Sequence, residues 1–555
     1  MGIATRLIEC QIAGVVLLLL FCLARPAYAQ FEGNISRWTD QDALDTPPAG
    51  SILFTGSSGV RRWEQLALDF ADYEVIQRGF GGSQFEDLTE VVDDIVLPYN
   101  PSAIVVWAGT NDIANGESGT EVFADYQQFV NLVRAAQPDV DIFYLGIMPT
   151  PGRQANQPDE TVANSAIANQ AASDPKLHYV DLPAAFATLN PYNNAAFTSQ
   201  FVDSIHLNRR GYEFWTSIIR PSIEAVIAPN KIFAANPNTL QPGSRILFDF
   251  GPSNSQDGDH TLGADANNNY WNNWHQAVGG VAVTAGEHLG DLIDDQGTPT
   301  GIDLTITGGF SANGKLNGGL LSPSANLLGD FAVASATQDY FFSTADDQPE
   351  GGSDDNGGGF MLDGLDPNMI YDFRFFGSRN SFSTRITEYL VTGSNSAVAT
   401  LRTSGWNIGS NGTYDGNDDE FAYVTGIRPD QYGQIFVDLT LVQGEFAYIN
   451  AMEVTARSFQ ADFNEDGTVD GQDLGDWESE FGTLGTAAHS DGDTNGDRDV
   501  DGYDFLNWQR QLGSAPSISV TAIELPECST GISAIVGVLT LSFTARTSHQ
   551  AKHED

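Results

Sequence analysis

The sequence is short of cysteine and of basic residues, and each shortage narrows what the protein can be. Of three cysteines in 555 residues, Cys10 and Cys22 lie in an N-terminal segment that we expect to be removed, which leaves Cys528 alone. A chain with one cysteine forms no intramolecular disulfide, so packed cores and bound ions must stabilise it. Lysine and arginine number 25 against 73 aspartates and glutamates, for a formal net charge of −48. This acidity argues against nucleic acid as a partner.

A long apolar run is also missing from the N-terminal segment, which instead has the features of a secretory signal peptide. Arg6 precedes an apolar run over residues 12–23, which is too short for an ordinary membrane span. The sequence AYA at residues 27–29 fits signal-peptidase cleavage before Gln30. We therefore expect residues 1–29 to be a signal peptide and the protein to be secreted or held at the cell surface. A retained membrane anchor is the alternative.

The chain is too long for one domain, and its composition changes along its length. Residues 30–228 alternate β-rich runs with amphipathic helical patterns, which predicts a three-layer α/β domain around a parallel sheet. Residues 231–457 are rich in Gly, Asn, Asp and Thr, which predicts an all-β sandwich of short strands between turns. Residues 460–514 carry two acidic repeats that predict a small α-helical module, and residues 515–555 form a tail.

Periodicity in the first domain predicts five strands and the helices between them. The strands are expected at ILFTG, YEVIQ, AIVVWAG, DIFYLGI and HYVDL. The helices are expected over residues 61–71, 85–96, 120–136 and 159–172. Ligands of such sheets bind beyond the carboxyl ends of the strands, so the residues that follow each strand are the candidates for a site.

Polar motifs after these strands have the composition that ester chemistry needs. Ser58 follows the first strand in a Gly-containing turn, at the start of a helix whose N–H groups favour negative charge. His206 can act as the base that the serine hydroxyl requires, with Asp203 to orient it. Gly82, after the second strand, and Asn111, after the third, can donate N–H groups to an oxyanion. The other histidine of this region, His178, stands at a strand start and is better explained by surface packing.

Residues 50–228 resemble the SGNH, or GDSL-type, hydrolases through these motifs, which occur in the expected order. The resemblance implies a flavodoxin-like fold and ester hydrolysis through an acyl-enzyme, with no cofactor for catalysis. It implies roles for five residues: Ser58 as nucleophile, Asp203 and His206 as the rest of the triad, and Gly82 and Asn111 as oxyanion donors, with the Ser58 N–H as a third donor. This sequence departs from the usual blocks at Ser57, where Asp is common, and at Gln77, where Asn is common.

The sequence around the site also bears on the substrate. No long apolar lid segment is visible, which favours a short acyl group, such as acetyl on a polysaccharide, over a long lipid chain. Arg153 follows the fourth strand and reaches the same edge, where it could contact an anionic or hydroxyl-rich substrate or simply face solvent. The alternative function is a non-catalytic carbohydrate-binding surface or adhesion protein with a degenerate hydrolase fold.

Two acidic repeats, over residues 462–473 and 493–504, share the pattern D-x-N-x-D-x-x-V-D-G-x-D. Oxygen ligands at positions 1, 3, 5, 7, 9 and 12 of such a loop suit calcium. In the first repeat these are Asp462, Asn464, Asp466, Thr468, Asp470 and Asp473. In the second they are Asp493, Asn495, Asp497, Asp499, Asp501 and Asp504. We therefore expect structural calcium in both loops; solvated acidic linkers are the alternative.

A helical pattern follows each acidic loop and none precedes it, and in this the region resembles a dockerin type I module. The resemblance implies a cohesin-type protein partner, although a calcium-stabilised appendage without a partner would have the same sequence. Arg498 stands at position 6 of the second loop, where Gly is usual, so we expect weaker binding there.

The remaining features point to carbohydrate and to the cell surface. Trp271, Trp274 and the stretch over residues 404–423 could supply exposed aromatic rings that stack on sugars, although the two tryptophans suit a core equally well. The stretch RILFDFG at residues 245–251, which opens the predicted sandwich, faintly resembles galactose-binding-like and malectin-like sandwiches. The tail over residues 524–547 resembles a bacterial sorting signal and could contact a membrane transiently; a frayed end is the alternative.

Overall fold

The computed structural model describes residues 26–192, 194–231, 240–254, 257–274, 282–344, 357–367, 369–457, 459–464, 468–494 and 498–513. Most of the predicted signal peptide and the whole C-terminal tail from residue 515 lie outside the described residues. None of the helices in the described part is both long and apolar enough to cross a membrane.

A parallel sheet of five strands organises the first half of the chain, as predicted. The strands are β1 (Ile52–Gly56), β2 (Val75–Gly79), β3 (Ala103–Trp107), β4 (Asp141–Leu145) and β5 (Leu177–Val180). Their order is β2-β1-β3-β4-β5, which is the flavodoxin-like order. Alternate residues of β1 enter two different cores: Leu53 packs on one face of the sheet, and Ile52 and Phe54 pack on the other. The sheet is therefore covered on both faces, which explains its continuous apolar strands.

Helices form the two outer layers. They are α1 (Pro26–Leu44), α2 (Ser58–Arg61), α3 (Leu66–Asp69), α4 (Phe85–Glu90), α5 (Val92–Ile95), α6 (Thr110–Ala114), α7 (Gly119–Ala136), α8 (Gln157–Ala171), α9 (Leu182–Ala187), α10 (Ala195–Thr198) and α11 (Arg209–Glu224). Single 3₁₀ turns lie at Leu97–Tyr99 and Pro151–Asn156.

Two predicted helices are wrong in length. The segment over residues 61–71 forms only the single turns α2 and α3, because the Gln77 side chain donates to the carbonyls of Val60 and Trp63, at 2.6 and 3.1 Å. A continuous helix would use those carbonyls itself. The segment over residues 85–96 divides into α4 and α5 at Val91, whose backbone leaves the helical region. The adjacent β-branched residues at this point disfavour an unbroken helix.

Helix α1 was not predicted, although its signal is present in the sequence. Phe31, Ile35 and Trp38 recur four and three residues apart and are buried in the same core as Leu53, as an amphipathic helix requires. Cleavage after Ala29 would leave all three in place. The carboxylate of Asp42 then accepts from Arg78 Nη2 at 2.7 Å, which ties the helix to β2.

The region from residue 240 to residue 457 is built of β-sheet, as predicted. Its strands are β6 (Arg245–Asp249), β7 (Asn272–Asn273), β8 (Ala282–Val283), β9 (His288–Leu289), β10 (Asp303–Gly308), β11 (Phe310–Asn313), β12 (Tyr340–Ser343), β13 (Gly358–Asp363), β14 (Ile370–Phe376), β15 (Arg385–Thr392), β16 (Ser396–Ser404), β17 (Ala422–Ile427), β18 (Ile435–Gln443), β19 (Ala447–Ile449) and β20 (Ala451–Arg457). Helical segments here are short: α12 (Ala325–Leu328), α13 (Ala334–Thr337) and 3₁₀ turns at Lys315–Asn317 and Gly329–Phe331.

These strands form three sheets around one shared core. Their orders are β16-β15-β18-β13-β10-β9, β19-β12-β11-β8 and β17-β14-β20-β6-β7. Phe248 of β6, Phe341 of β12 and Phe360 of β13 bring all three sheets into the same cluster. Trp271 and Trp274 are only 4% and 3% exposed, so the structure decides between their two interpretations: both are core residues.

The acidic repeats are each followed by a helix, α14 (Gly471–Glu480) and α15 (Gly502–Gln511), with a 3₁₀ turn at His489–Asp491 between them. The two halves exchange equivalent hydrogen bonds. Trp477 Nε1 donates to the Asp501 carbonyl at 3.0 Å, and Trp508 Nε1 donates to the Asp470 carbonyl at 2.8 Å. The sequence repeat is therefore also a repeat of contacts, in which each helix secures the loop of the other half.

Candidate active site

Ser58 is held at the end of β1 by a close approach of the backbone to β3. Gly56 has φ +135°, and a Cβ there would lie 2.1 Å from the Trp107 carbonyl oxygen. Gly59 lies against the Trp107 ring, which an added Cβ would meet at 2.5 Å. Since a larger residue at either position would displace this turn, the glycines fix Ser58 as the first residue of α2. The Gln77 amide, which caps the carbonyls of that turn, holds it from the other side.

The three residues of the predicted triad lie in a chain of hydrogen-bond contacts. His206 Nε2 lies 3.0 Å from Ser58 Oγ, and His206 Nδ1 lies 2.7 Å from Asp203 Oδ2. The other carboxylate oxygen, Asp203 Oδ1, accepts the backbone N–H groups of Ile205 and His206, at 2.5 and 2.7 Å. The turn that precedes α11 thus orients its own aspartate, and the aspartate orients the histidine toward the serine.

Charges around the triad set the protonation that a general base needs. Partial burial opposes ionisation of Asp203, but hydrogen bonds from His206 and from two backbone N–H groups outweigh it and lower the pKa of this carboxyl. Burial and the positive charge of Arg62 lower the pKa of His206 from 6.5 and outweigh the effect of its Asp203 partner. Arg62 Nη1 lies 3.7 Å from Asp203 Oδ2. His206 is therefore neutral near pH 7 and able to accept a proton.

This environment predicts how activity depends on pH. Only neutral His206 accepts the Ser58 proton, so kcat/KM is expected to fall as the pH drops through a pKa below 6.5. Arg62→Gln removes a nearby cation, so the His206 pKa should rise and the acid limb should move to higher pH. The measurement is kcat/KM between about pH 4 and pH 9. Arg210→Gln, at an exposed arginine, is the matched control. An acid limb that stays in place in Arg62→Gln would assign it to another group.

The predicted oxyanion donors lie at the ends of β2 and β3. Asn111 Nδ2 donates to the Ser83 carbonyl at 3.0 Å, and the Phe85 N–H donates to Asp112 Oδ1 at 2.8 Å. These two bonds join the loop that carries Gly82 to the start of α6. Gly82 is exposed with φ +80°, and its N–H meets no acceptor within the described part of the chain. The Gly82 N–H and the second N–H of the Asn111 amide are thus available to a ligand at this edge of the sheet.

The structure also shows where His178 and Arg153 lie. His178 Nε2 lies 2.8 Å from Asp141 Oδ1, and its ring stacks on Phe143 at 4.4 Å, so it packs at the opposite end of the strands, as predicted. Arg153 does not face solvent freely. Its guanidinium is partly buried and donates to Thr110 and Asn111, a contact that sequence spacing could not show.

The acidic repeats have the donor chemistry that calcium needs but do not form a complete site within the described residues. Asp462, Asp473 and Asp504 are buried. Asp473 accepts the Asp470 N–H and Asp504 accepts the Asp501 N–H, both at 2.7 Å. In the part of the chain that the structure describes, no three carboxylate, imidazole or thiolate side chains are grouped as a metal site. Three predicted ligands lie outside that part: Asp466, Asn495 and Asp497. Calcium stays a prediction.

One exposed aromatic pair stands out in the β-sheet region. Phe382 and Trp406 are 68% and 66% exposed, and their rings stack with centroids 5.1 Å apart. Trp406 belongs to the stretch over residues 404–423 that the sequence singled out, whereas Phe382 was missed because it lies in a separate loop. The Asn407 N–H donates to Asp415 at 2.7 Å and secures the loop next to Trp406.

Comparison with known proteins agrees with the geometry of the first domain. Residues 46–214 match the GDSL-like Lipase/Acylhydrolase family. The platelet-activating factor acetylhydrolase IB subunit alpha1 of Bos taurus is 25% identical over 184 residues, which cover 31% of this chain and 73% of that protein. The alpha2 subunit of Homo sapiens is 27% identical over 203 residues, covering 34% and 84%. A solved GDSL-like lipase from Bacteroides thetaiotaomicron is 18% identical with a TM-score of 0.30 and covers 35% of this chain and 98% of its own.

The site and the family match together define the class of protein. The chain carries a GDSL-like lipase/acylhydrolase domain on an α/β parallel sheet, and it is an ester-hydrolysing enzyme.

Proposed function

We propose that the protein is a secreted serine esterase that removes short acyl groups, such as acetyl, from carbohydrate. The observation that carries the proposal is the Ser58–His206–Asp203 chain of contacts at 3.0 and 2.7 Å. The curated relatives support a short acyl group, since they are named acetylhydrolases. The predicted signal peptide supports secretion.

The contacts give each residue a role in the reaction. Ser58 Oγ attacks the ester carbonyl while His206 Nε2 takes its proton. Asn111 Nδ2, the Gly82 N–H and the Ser58 N–H stabilise the oxyanion. His206 then gives the proton to the leaving alcohol, and an acyl-Ser58 ester remains. Water deprotonated by His206 attacks that ester, and the acid is released with Ser58 restored.

Two cavities, of about 150 and 310 Å³, lie where α1 and β2 meet the β-sheet region. Neither is lined by Ser58, Asn111 or His206, so neither offers a long acyl chain a path from the nucleophile. The exposed rings of Phe382 and Trp406 favour sugar as the other half of the substrate, because aromatic faces stack on the apolar faces of pyranose rings.

A chain-length series with a binding-site variant tests this proposal. We expect kcat/KM for p-nitrophenyl acetate to be at least as high as for the octanoate ester, because neither of these two cavities opens at Ser58 to bury the added methylenes. Trp406→Ala should slow release of acetate from acetylated xylan while p-nitrophenyl acetate turnover stays unchanged. Tyr503→Ala, at an exposed aromatic residue outside the β-sheet region, is the matched control. A preference for the octanoate ester would contradict a short acyl group. Equal rates of acetate release from xylan by the wild type and Trp406→Ala would contradict a sugar-binding role for Trp406.

The C-terminal module suggests that the enzyme is held in place by a protein partner. We propose that residues 460–514 bind two calcium ions and present a dockerin-like surface to a cohesin-type protein. The 31-residue repeat and the reciprocal tryptophan bonds support this proposal. The tail from residue 515, with its resemblance to a sorting signal, is proposed to contact a membrane only transiently.

A further inference from the structure

Two hydrogen bonds hold Arg153 against Asn111, one of the proposed oxyanion donors. It lies in the 3₁₀ turn Pro151–Asn156 that follows β4. Its Nη2 donates to Asn111 Oδ1 at 2.9 Å, and its Nη1 donates to Thr110 Oγ1 at 2.7 Å. Two donors of one planar guanidinium therefore meet adjacent residues of α6 in a fixed geometry.

These bonds decide which way the Asn111 carboxamide faces. Its oxygen is held by Arg153, and one of its two N–H groups is held by the Ser83 carbonyl at 3.0 Å. A flipped amide would place its oxygen against the Ser83 oxygen and its N–H groups against the guanidinium, so both contacts would become repulsive. The observed orientation keeps both bonds and leaves one N–H for a ligand.

The position of Arg153 is itself secured by the triad segment. The Gly152 N–H donates to the Ser204 carbonyl at 2.6 Å, and a Cβ on Gly152 would lie 2.8 Å from Ser204 Oγ. The turn that carries Arg153 thus packs directly on the loop that holds Asp203 and His206. Burial lowers the pKa of the Arg153 guanidinium, but an arginine stays charged in a protein, so a cation faces the amide oxygen.

We propose that Arg153 is a positioning residue of the oxyanion hole, which holds the Asn111 carboxamide with its free N–H toward the substrate and polarises that N–H. A cation on the amide oxygen strengthens the N–H as a donor. The inference rests on the proposed hydrolytic function of the Ser58 site. The oxyanion forms only along the reaction, so the role predicts a loss in kcat with little change in KM.

A double-mutant cycle tests the role. Asn111→Ala should lower kcat by about 100- to 1,000-fold. Arg153→Met, which keeps the aliphatic stem but no donor, should lower kcat by about tenfold or more with KM within about twofold. In the Asn111→Ala background the same change should cost no more than about twofold, because the amide that it orients is gone. Arg153→Lys, which retains the charge and one donor at a time, should recover part of the loss.

The controls separate this role from structural and substrate-binding roles. Thermal melting and labelling of Ser58 by a fluorophosphonate show whether each variant is folded with an intact nucleophile. A raised KM with unchanged kcat in Arg153→Met would overturn the proposal and indicate that Arg153 contacts the substrate. Equal losses of kcat from Arg153→Met in the wild-type and Asn111→Ala backgrounds would also overturn it. Wild-type turnover in Ser58→Ala would instead refute the proposed function. If Ser58→Ala is inactive but the effects of Arg153→Met and Asn111→Ala on kcat are additive, the positioning role is refuted and the proposed function stands.

Discussion

Replacing Ser58 with alanine is expected to lower kcat for p-nitrophenyl acetate by about 10⁴- to 10⁶-fold, the range found when one member of a serine-hydrolase triad is replaced. The loss should be this large because Ser58 Oγ is the atom that His206 Nε2 faces at 3.0 Å. Ser58 begins a single helical turn that glycine contacts and the Gln77 amide hold in place. The hydroxyl can therefore be removed without disturbing the fold, and the melting temperature should stay close to that of the wild type.

Ser57→Ala is the matched control for this prediction. Ser57 is the neighbouring hydroxyl, but it is buried and its Oγ has no hydrogen-bond partner within the described residues. Its loss should leave kcat within about tenfold of the wild type, since it removes no group of the triad. Fluorophosphonate labelling should disappear in Ser58→Ala and persist in Ser57→Ala. Near wild-type turnover in purified Ser58→Ala would refute the nucleophile assignment and favour the degenerate, non-catalytic alternative.

Removing calcium from the full-length protein is expected to unfold residues 459–513 while the hydrolase domain stays folded and active. Five carboxylates in each repeat would repel one another without a cation, so the energy of calcium binding becomes folding energy. Amide hydrogen exchange in α14 and α15 should be fast in EDTA and slow in millimolar calcium. Calorimetry should show two binding events.

The second binding event should be the weaker one, for a reason visible in the backbone. Arg498 adopts φ +69°, a conformation that costs a side-chain-bearing residue about 1–2 kcal/mol relative to glycine. Arg498→Gly should therefore tighten the weaker site by about 5- to 30-fold. Asp462→Ala and Asp493→Ala should each remove one event, whereas Glu478→Gln, an exposed acid of α14 outside the ligand pattern, should remove neither. No heat and no change in exchange would identify the region as a solvated acidic linker.

Much of the hydrolase domain could be predicted from the sequence because its signals are local. Each strand is a continuous apolar run, and a run buried on both faces needs no partner to be recognised. The polar residues that follow these runs had to meet at one edge, since parallel strands end together. Helix lengths were harder to predict. The division of residues 61–71 depends on Gln77, a side chain from the next strand that takes two carbonyls of the preceding turn.

The sequence by itself determined the chemistry: a serine, a histidine and an aspartate in strand-end motifs, and two acidic loops 31 residues apart. Only the tertiary structure decided how neighbouring groups control them. Arg62 lies close to Asp203, and Arg153 binds the amide oxygen of Asn111. Trp271 and Trp274, which the sequence offered as sugar-stacking residues, are buried, whereas Phe382 and Trp406 are exposed. These facts join residues far apart in the chain. Periodicity reports which residues share a face of one element, whereas distance, charge and burial between elements exist only once the chain is folded.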